Sequence, residues 1–422
     1  MTKRLARTLA LLTAAALVAA ACRIGGVKTA TGVEGRTIKL GEITPLTGST
    51  AVIGKPLTLG HEVYFRYVNE VLGGVGKNLP KEERYKVELI TLDSQYLPDV
   101  HVQQYNAIKD KVLMIAQSLG TANTKAILAQ INQDKILTGA ATLSSEWVRE
   151  KYIVPAGAPY PVQFINAAQL LKDTGVTPKA GIIYQDDDYG AEGLKGLEFA
   201  AKELGFQIVA KATYKPTDTE FAAQVTAMKN GGADHVFLTT LPSSTGRILG
   251  TAATLQYSPR WIGNSPAWIG ALVGTKAQPS PLVPYLQKNV WIVTDAQCAW
   301  GDVGKGCEGM KELIENHQKF GGEQPPDYYF IFGYTQARVV HQILEKAIEQ
   351  GDLTREGVVR AFESLKNVDM GGLLNAISYG PNCKDKIPAT GSSIWQIDPT
   401  QPIALKLVKS IDSPLTKKFP FC

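Results

Sequence analysis

A turn rich in hydroxyl and amide groups is the first candidate for chemistry in this sequence. Residues 120–123, Gly-Thr-Ala-Asn, lie between a predicted strand at 112–116 and a predicted helix at 124–133. Free backbone N–H groups at the start of a helix attract an anion such as a carboxylate. Thr121 and Asn123 are therefore candidate ligand-binding residues, and the alternative is that they only cap the helix.

Polar or charged side chains also follow strands that are predicted later in the chain. Tyr189 stands in the turn after a strand at residues 180–184. An aromatic face with a hydroxyl tip suits a small amphipathic ligand, and surface packing is the alternative. Asn264 and Asp295 each follow a further predicted strand. Doubly wound sheets bind ligands beyond the carboxyl ends of their strands, so these residues are candidates for one cleft.

Several catalytic and metal-binding patterns are missing from the sequence. It contains no HExxH, CxxC or G-x-S-x-G motif, so a zinc protease, a zinc ribbon and an α/β-hydrolase are not indicated. Asp186–Asp188 lacks further ligands at calcium-loop spacing and is interpreted as a solvated turn. Residues 304–309 spell G-x-G-x-x-G, but no strand leads directly into them, which favours a shaped loop over a dinucleotide site. We predict no catalysis, no cofactor and no metal.

The composition is typical of a globular protein. The 422 residues are 44% hydrophobic and 20% charged, with a formal net charge of +5. That charge is too small for this length to indicate a nucleic-acid partner. The length suggests two domains.

The N-terminus has the three parts of a secretory signal peptide. Three basic residues precede an apolar run from residue 9 to 21, which ends in small residues before Cys22. The position of Cys22 resembles a bacterial lipoprotein signal. We predict a signal peptide at 1–21, lipidation of Cys22 and a flexible tether over 22–35, with plain secretion or a buried N-terminal helix as alternatives. Without the signal peptide the net charge falls to +2, so much of the basicity belongs to the export signal.

Strands and helices are predicted to alternate along the rest of the chain. The alternation begins at about residue 38 and restarts at about residue 160. It includes helices predicted over 57–72 and 193–204 and strands predicted over 235–239 and 290–294. Helices over 309–365 follow, and residues 371–408 are predicted as irregular loops with late strands. This pattern predicts an α/β protein with two doubly wound parallel-sheet units in series and a short β tail.

The order and spacing of several segments resemble type I periplasmic binding proteins. The closest branch is the branched-chain amino acid receptors of ABC transporters, the leucine/isoleucine/valine-binding protein-like family. The segments are the P-L-T-G loop at 45–48, IIYQDDDYG at 182–190, TDTEFAAQVTAMKNGGADHVFL at 217–238 and the late aromatic helix within 324–350.

This resemblance implies two lobes joined by a three-crossover hinge, with ligand in the cleft between them. Lobe one would comprise residues 36–157 and 297–365, lobe two would comprise 158–296 and 366–410, and 411–422 would form a C-terminal tail. The implied partners are a small-molecule ligand, an ABC permease with its ATPase subunits, and the membrane through the lipid anchor. The implied location is extracytoplasmic.

The resemblance also implies roles for particular residues. Thr121 stands in the pair of hydroxyl residues that holds the ligand carboxylate, although Gly120 replaces the first of the pair. Ala140 and Thr142 match a turn whose backbone carbonyl and hydroxyl meet the ligand, with an ordinary turn threonine as the alternative. Tyr189 matches the ligand-stacking tyrosine.

Two departures from the family pattern leave the ligand open. Amino-acid receptors place an acidic residue near Asn264 to pair with the ligand ammonium, and the aromatic residue expected near Ile53 is missing. A buried ammonium without a carboxylate is costly, so an amino-acid ligand would need Asp295 to supply the charge. A carboxylate without an amine, an amide and another small polar metabolite stay open. A sensory receptor and, less favoured, a secreted hydrolase are alternatives to an importer subunit.

The cysteine count fits an oxidising compartment. With Cys22 assigned to lipid, four cysteines remain, which is an even number. We predict that Cys298 pairs with Cys307 across a short loop and that Cys383 pairs with Cys422. The second pairing joins segments whose proximity the sequence does not show.

Overall fold

The computed structural model describes residues 26–298, 300–304, 306–323 and 327–422. The predicted signal peptide and the lipidation site at Cys22 lie outside these residues, and so does the Pro-Pro pair that opens the late aromatic segment.

Strands and α-helices alternate through most of the described chain, as the sequence predicts for an α/β fold. The strands are β1 (Lys28–Thr29), β2 (Val33–Glu34), β3 (Thr37–Thr44), β4 (Lys86–Asp93), β5 (Met114–Leu119), β6 (Thr138–Ala141), β7 (Ile153–Val154), β8 (Lys179–Gln185), β9 (Gln207–Tyr214), β10 (His235–Thr239), β11 (Arg260–Gly263), β12 (Val290–Thr294), β13 (Asp352–Leu353), β14 (Ser392–Ile397) and β15 (Leu405–Ile411). The α-helices are α1 (Ala51–Arg66), α2 (Pro98–Ile108), α3 (Thr121–Ala126), α4 (Leu128–Asp134), α5 (Tyr160–Asp173), α6 (Asp188–Leu204), α7 (Ala222–Asn230), α8 (Pro242–Thr254), α9 (Val283–Asn289), α10 (Glu308–Phe320), α11 (Tyr328–Glu349) and α12 (Arg355–Ser364).

Two separate sheets organise the molecule. The first has the order β2-β3-β5-β6-β7, with β4 also paired to β3, and all of its pairs except β2–β3 are parallel. The second has the order β15-β14-β12-β11-β10-β8-β9 and is parallel from β12 to β9. The late strands β14 and β15 add to it in antiparallel pairs. We call the first sheet with its helices lobe one and the second sheet with its helices lobe two.

The chain passes between the two lobes three times. It crosses after β7, after β12 and after α12, because β8 and β14 belong to the second sheet while β13 pairs with β1 at the N-terminal end. The crossings lie close together: Ala296 bridges Leu374, and the Tyr379 hydroxyl donates to the carbonyl of Pro155. This is the doubly wound two-unit fold that the sequence predicts, whereas the residue boundaries proposed for the lobes stay a prediction.

Helices α1 and α11 pack against each other at unusually short range. A Cβ atom on Gly60 would lie 2.5 Å from the backbone of Phe330 and Tyr334, and one on Gly333 would lie 2.0 Å from the carbonyl of Leu57. Glycine is therefore required at both positions. The predicted start of α1 at residue 57 was wrong, because the preceding turns, including Ile53, are also buried and helical.

Two disulfides join the four cysteines that the sequence leaves after Cys22. Cys298 pairs with Cys307 and Cys383 pairs with Cys422, with Cα–Cα distances of 5.9 Å in each. Both predicted pairings are confirmed. The C-terminal segment is held further by Arg149, whose Nε donates to the carbonyl of Phe421.

Candidate functional site

A cavity lies where the carboxyl ends of the two sheets face each other. Lobe one contributes the turns after β5 and β6 and one side of α1, and lobe two contributes the starts of α5, α6 and α8 and the turn after β11. The start of α11 closes one side. The lining residues are Ile53, Leu57, Tyr96, Leu119, Gly120, Thr121, Ala141, Thr142, Leu143, Tyr160, Tyr189, Leu241, Ser265, Pro266, Tyr328, Tyr329 and Phe332.

The two predicted threonines meet at this cavity. The Thr121 and Thr142 hydroxyl oxygens are 2.5 Å apart and both side chains are buried. The Tyr160 hydroxyl donates to the Thr142 hydroxyl at 3.4 Å. A hydroxyl group donates one hydrogen bond and accepts others, so this cluster can present donors to an anionic group.

The backbone conformation at Gly120 explains why a glycine stands where the family pattern has a hydroxyl residue. Gly120 has φ +102, which L side chains rarely adopt, and a Cβ there would lie 2.9 Å from both Asn123 and Tyr96. A serine or threonine at this position would require a different backbone path. Gly120 itself lines the cavity, so its backbone approaches the ligand space directly.

Two of the predicted site residues support the cavity wall from behind. The Asn123 amide donates to the carbonyl of Leu119, which fixes the turn between β5 and α3. Ala140 is fully buried in the core of lobe one, and its neighbours Ala141 and Thr142 line the cavity.

Tyr189 presents its ring to the cavity. Asp187 accepts hydrogen bonds from the backbone N–H of Tyr189 and of the next residue, so α6 begins at residue 188 rather than at the predicted 193. The Tyr189 ring packs edge-on against Tyr160 with centroids 5.0 Å apart. Its hydroxyl is directed at the Asn264 side-chain oxygen, 2.8 Å away, and at the carbonyl of Thr240. Burial raises the pKa of the Tyr189 phenol, which is therefore a neutral donor.

Asn264 and Asp295 lie one layer behind the lining. Asn264 is fully buried, and its side-chain nitrogen has no hydrogen-bond partner among the described residues. Asp295 is also buried, and Tyr328, which does line the cavity, donates its hydroxyl proton to the Asp295 carboxylate. Burial raises the pKa of Asp295 to about 6.

Sequence reasoning missed the aromatic side chains that α11 contributes to the wall. Tyr328, Tyr329 and Phe332 belong to the first turns of α11, a helix in which no site residue was predicted. Tyr329 donates to the carbonyls of Pro266 and Trp268 in lobe two, so it links α11 to the other side of the cleft. The aromatic run Y-Y-F-I-F was the available signal.

Charged groups surround the cleft instead of lining it. No Asp, Glu, Lys or Arg is among the described residues that line the cavity. At its edge, Lys125 of lobe one pairs with Asp188 of lobe two, and the backbone N–H of Ser145 donates to the buried Glu192. Almost all of these lining residues are buried.

Other acidic residues near the site have structural roles. Asp187 caps α6 and Asp188 forms the ion pair with Lys125. Within the described ranges, no cluster of three or more histidine, cysteine or acidic side chains is arranged to hold a metal ion. None of the helices that the structure describes combines the length and the apolar composition needed to cross a membrane.

Two α/β lobes, three crossings and a buried cavity between the lobes are the architecture of a two-lobed solute-binding protein. A family model described as "periplasmic binding protein" matches residues 37–401, and the chain belongs to this family. Membership implies a location outside the cytoplasm and an ABC-type substrate-binding role.

Relatives and solved structures agree with this assignment. The Leu/Ile/Val-binding protein homolog 7 of Brucella abortus is 24% identical over 336 residues, which cover 73% of this chain and 77% of the relative. A fatty acid ABC transporter substrate-binding protein from Thermomonospora curvata is 30% identical with a TM-score of 0.84, covering 93% of this chain and 97% of that one. A branched-chain amino acid ABC transporter protein from Thermus thermophilus with bound valine is 18% identical with a TM-score of 0.77, covering 92% and 99%, and shows the shared fold.

Proposed function

We propose that this protein is the substrate-binding subunit of an ABC importer for carboxylates that carry an apolar chain and no amine. The observation that carries the proposal is the cavity lining, in which aliphatic and aromatic side chains surround a few neutral hydroxyls. The apolar wall favours a hydrocarbon chain, because burial of apolar surface contributes about 25 cal/mol per Å².

The hydroxyl cluster suits the carboxylate end of such a ligand. Thr121, Thr142 and Tyr160 are close enough to share one acceptor, and hydrogen bonds to a charged oxygen are stronger than neutral ones. The backbone at Gly120 adds room for close approach. A carboxylate buried here would exchange water for these donors.

An α-ammonium group has no comparable partner in the lining. The position where an amino-acid receptor would carry an acid is Asn264, which already accepts from Tyr189. Asp295 is behind Tyr328 and does not line the cavity. Burying an ammonium without a carboxylate costs several kcal/mol, so the site discriminates against amino acids. The similarity to the fatty acid ABC transporter substrate-binding protein of Thermomonospora curvata, at 30% identity, supports this choice over an amino-acid ligand.

The decisive experiment compares two ligands that differ only in the amine. 4-Methylpentanoate is leucine without its ammonium, and titration calorimetry and thermal unfolding measure both. We expect 4-methylpentanoate to bind at least tenfold more tightly than leucine. At about 100 times its dissociation constant it should stabilise the protein by roughly 2.7 kcal/mol. Tighter binding of leucine would refute the ligand class, and a straight-chain series from hexanoate to decanoate would define the preferred length.

We further propose that lobe closure presents the loaded protein to a membrane permease, and that lipidated Cys22 holds it at the membrane. Ligand contacts from both lobes are available only in the closed arrangement, so binding shifts the population toward it. Cells that lack the protein should lose uptake of labelled 4-methylpentanoate. Cys22→Ser should release the protein from the membrane fraction, and retention there would exclude the lipid anchor.

A further inference from the structure

A chain of three side chains leads from the buried Asp295 to the ligand cavity. The Tyr328 hydroxyl donates to Asp295, and the Ser265 side chain lies near enough to interact with the same hydroxyl. Tyr328 and Ser265 line the cavity, whereas Asp295 does not. The Ser265 hydroxyl also accepts from the Gln163 amide at 3.3 Å, and Gln163 in turn accepts from the backbone N–H of Ser265 at 2.8 Å. The Ser265 side chain is thus held in place by Gln163, while its hydroxyl hydrogen can rotate toward a different acceptor.

The surroundings of Asp295 are unusual for an ionised carboxylate. The residue is 1% exposed, and its Oδ2 has no hydrogen-bond partner among the described residues. Gly157 packs so closely on Oδ2 that a Cβ there would lie 1.8 Å away. The titratable groups that face Asp295 are the phenols of Tyr328 on α11 and Tyr160 on α5. None of the described lysine or arginine side chains forms an ion pair with it.

We propose that Asp295, acting through Tyr328 and Ser265, decides whether lobe two offers a hydrogen-bond donor to the ligand, and that carboxylate binding is coupled to uptake of one proton by Asp295. This inference rests on the carboxylate ligand class proposed above. Asp295 is a positioning residue in this scheme, since it does not touch the ligand.

The two protonation states of Asp295 orient the hydrogen bonds between Asp295, Tyr328 and Ser265 in opposite directions. When Asp295 is ionised, Tyr328 donates to it and Ser265 donates to Tyr328, so no serine proton faces the cavity. When a proton from solvent binds to Asp295, the carboxyl group donates to the Tyr328 oxygen and Tyr328 donates to Ser265. Ser265 then accepts from both Tyr328 and Gln163 and turns its own proton toward the ligand. Protonation also removes a negative charge that would repel the ligand carboxylate.

The pH range of this coupling follows from the burial of the carboxyl group. Burial raises the pKa of Asp295 to about 6 in the free protein, and a bound carboxylate raises it further. Asp295 is ionised at pH 8, so binding there must include proton uptake. Affinity for 4-methylpentanoate should therefore increase as the pH falls from 8 to 6, by up to tenfold per pH unit, and should level off below about pH 6.

The test is titration calorimetry of the whole mature protein with 4-methylpentanoate at several pH values between 5.5 and 8.5. Buffers of different ionisation enthalpy report the protons taken up. We expect close to one proton at pH 8 and little below pH 6. Asp295→Asn should bind without proton uptake and without pH dependence, because its amide donates to Tyr328 permanently. Tyr328→Phe removes the hydroxyl that links Asp295 to Ser265, so this variant should bind 4-methylpentanoate weakly at every pH.

Asp327→Asn is the matched control. Asp327 caps α11 by accepting from the Phe330 backbone N–H, and burial raises its pKa to about 7, but it is not part of the cavity lining. This variant should keep the proton uptake of the wild type. Wild-type binding without proton uptake, or unchanged uptake in Asp295→Asn, would overturn the coupling while leaving the ligand class intact. Absence of 4-methylpentanoate binding at every pH would instead overturn the ligand class and the coupling together.

Discussion

The Nζ atom of Lys125 on α3 lies 2.7 Å from Oδ1 of Asp188 at the start of α6, so an ion pair spans the cleft. Lys125 is also 3.0 Å from Glu146 on its own side of the cleft. Opening the lobes separates Lys125 from Asp188 but leaves it beside Glu146. The ion pair therefore favours the arrangement seen in this structure, and under the proposed closure it acts in the same direction as the ligand.

Lys125→Ala should weaken ligand binding without changing the cavity itself. The pair is partly exposed, and such pairs contribute about 0.2–1 kcal/mol, which corresponds to at most about a fivefold rise in Kd. The effect should shrink at high salt, because exposed charges are screened. Calorimetry at two ionic strengths measures it. Lys211→Ala is the control, since Lys211 pairs with Glu198 entirely within lobe two; equal losses in both variants would contradict the cross-cleft role.

Thr142→Val should reduce the affinity for 4-methylpentanoate by roughly 10- to 100-fold. The variant keeps the side-chain shape but removes a hydroxyl that lies 2.5 Å from that of Thr121. A hydrogen bond to a charged group contributes about 1.5–3 kcal/mol. Thr142→Ser restores the hydroxyl and should bind within a few-fold of the wild type. Equal affinities for the valine and serine variants would place the carboxylate elsewhere.

Tyr189→Ala and Tyr189→Phe separate the contribution of the ring from that of the hydroxyl. Alanine removes a wall of the cavity and the packing against Tyr160, so binding should fall by more than tenfold. Phenylalanine keeps the ring but removes the donor to Asn264, and should cost only a few-fold in affinity with a lower Tm. If phenylalanine impaired binding as much as alanine, the ring would not be the feature that matters.

Gly157→Ala should destabilise the fold more than a left-handed backbone alone explains. Gly157 has φ +69 and meets the Asp295 carboxylate, whereas Gly175 has φ +81 and nothing within 4 Å of an added Cβ. Both alanine variants strain the backbone, by about 1–2 kcal/mol. Only Gly157→Ala also displaces a buried carboxylate, so its Tm should be clearly lower. Chemical denaturation of both variants provides the free energies, and equal losses would mean that the contact relaxes at no cost.

Removal of the Cys383–Cys422 disulfide should cost more stability than removal of Cys298–Cys307. The two bridges close segments with sequence separations of 39 and 9 residues. Loop-closure entropy predicts about 4 kcal/mol for the longer one and about 2.6 kcal/mol for the shorter. Paired Cys→Ser variants in a denaturant titration measure the difference. A larger loss for the shorter bridge would show that it stabilises the native crossings rather than limiting the unfolded chain.

Local sequence patterns were sufficient for most of the fold. The strands at 235–239 and 290–294 have the predicted bounds, because each is a continuous apolar run between clear turn residues. Helix starts were less predictable. The cap at Asp187 moves the start of α6, and tertiary burial extends α1 toward its N-terminus, and neither effect follows from apolar periodicity alone.

The residues of the candidate site likewise fall into two groups, those that local sequence patterns predicted and those that depend on tertiary packing. Thr121, Thr142 and Tyr189 were predictable because each comes shortly after the carboxyl end of a strand, and parallel strands bring these ends to a common edge. The aromatic wall from α11 was not predictable, since that helix comes more than a hundred residues later and reaches the cavity only through its close packing on α1 at Gly60 and Gly333.

The roles of Asn264 and Asp295 depended on long-range packing for the same reason. Their positions after strands indicate the right edge of the sheet, but not whether a side chain faces the cavity or the layer behind it. Tyr189 and Tyr328 occupy the space between these two side chains and the cavity, so Asn264 and Asp295 lie in the layer behind the lining. Proximity along the chain can be read from residue order, whereas the order of layers across a cleft depends on which distant side chains fill it.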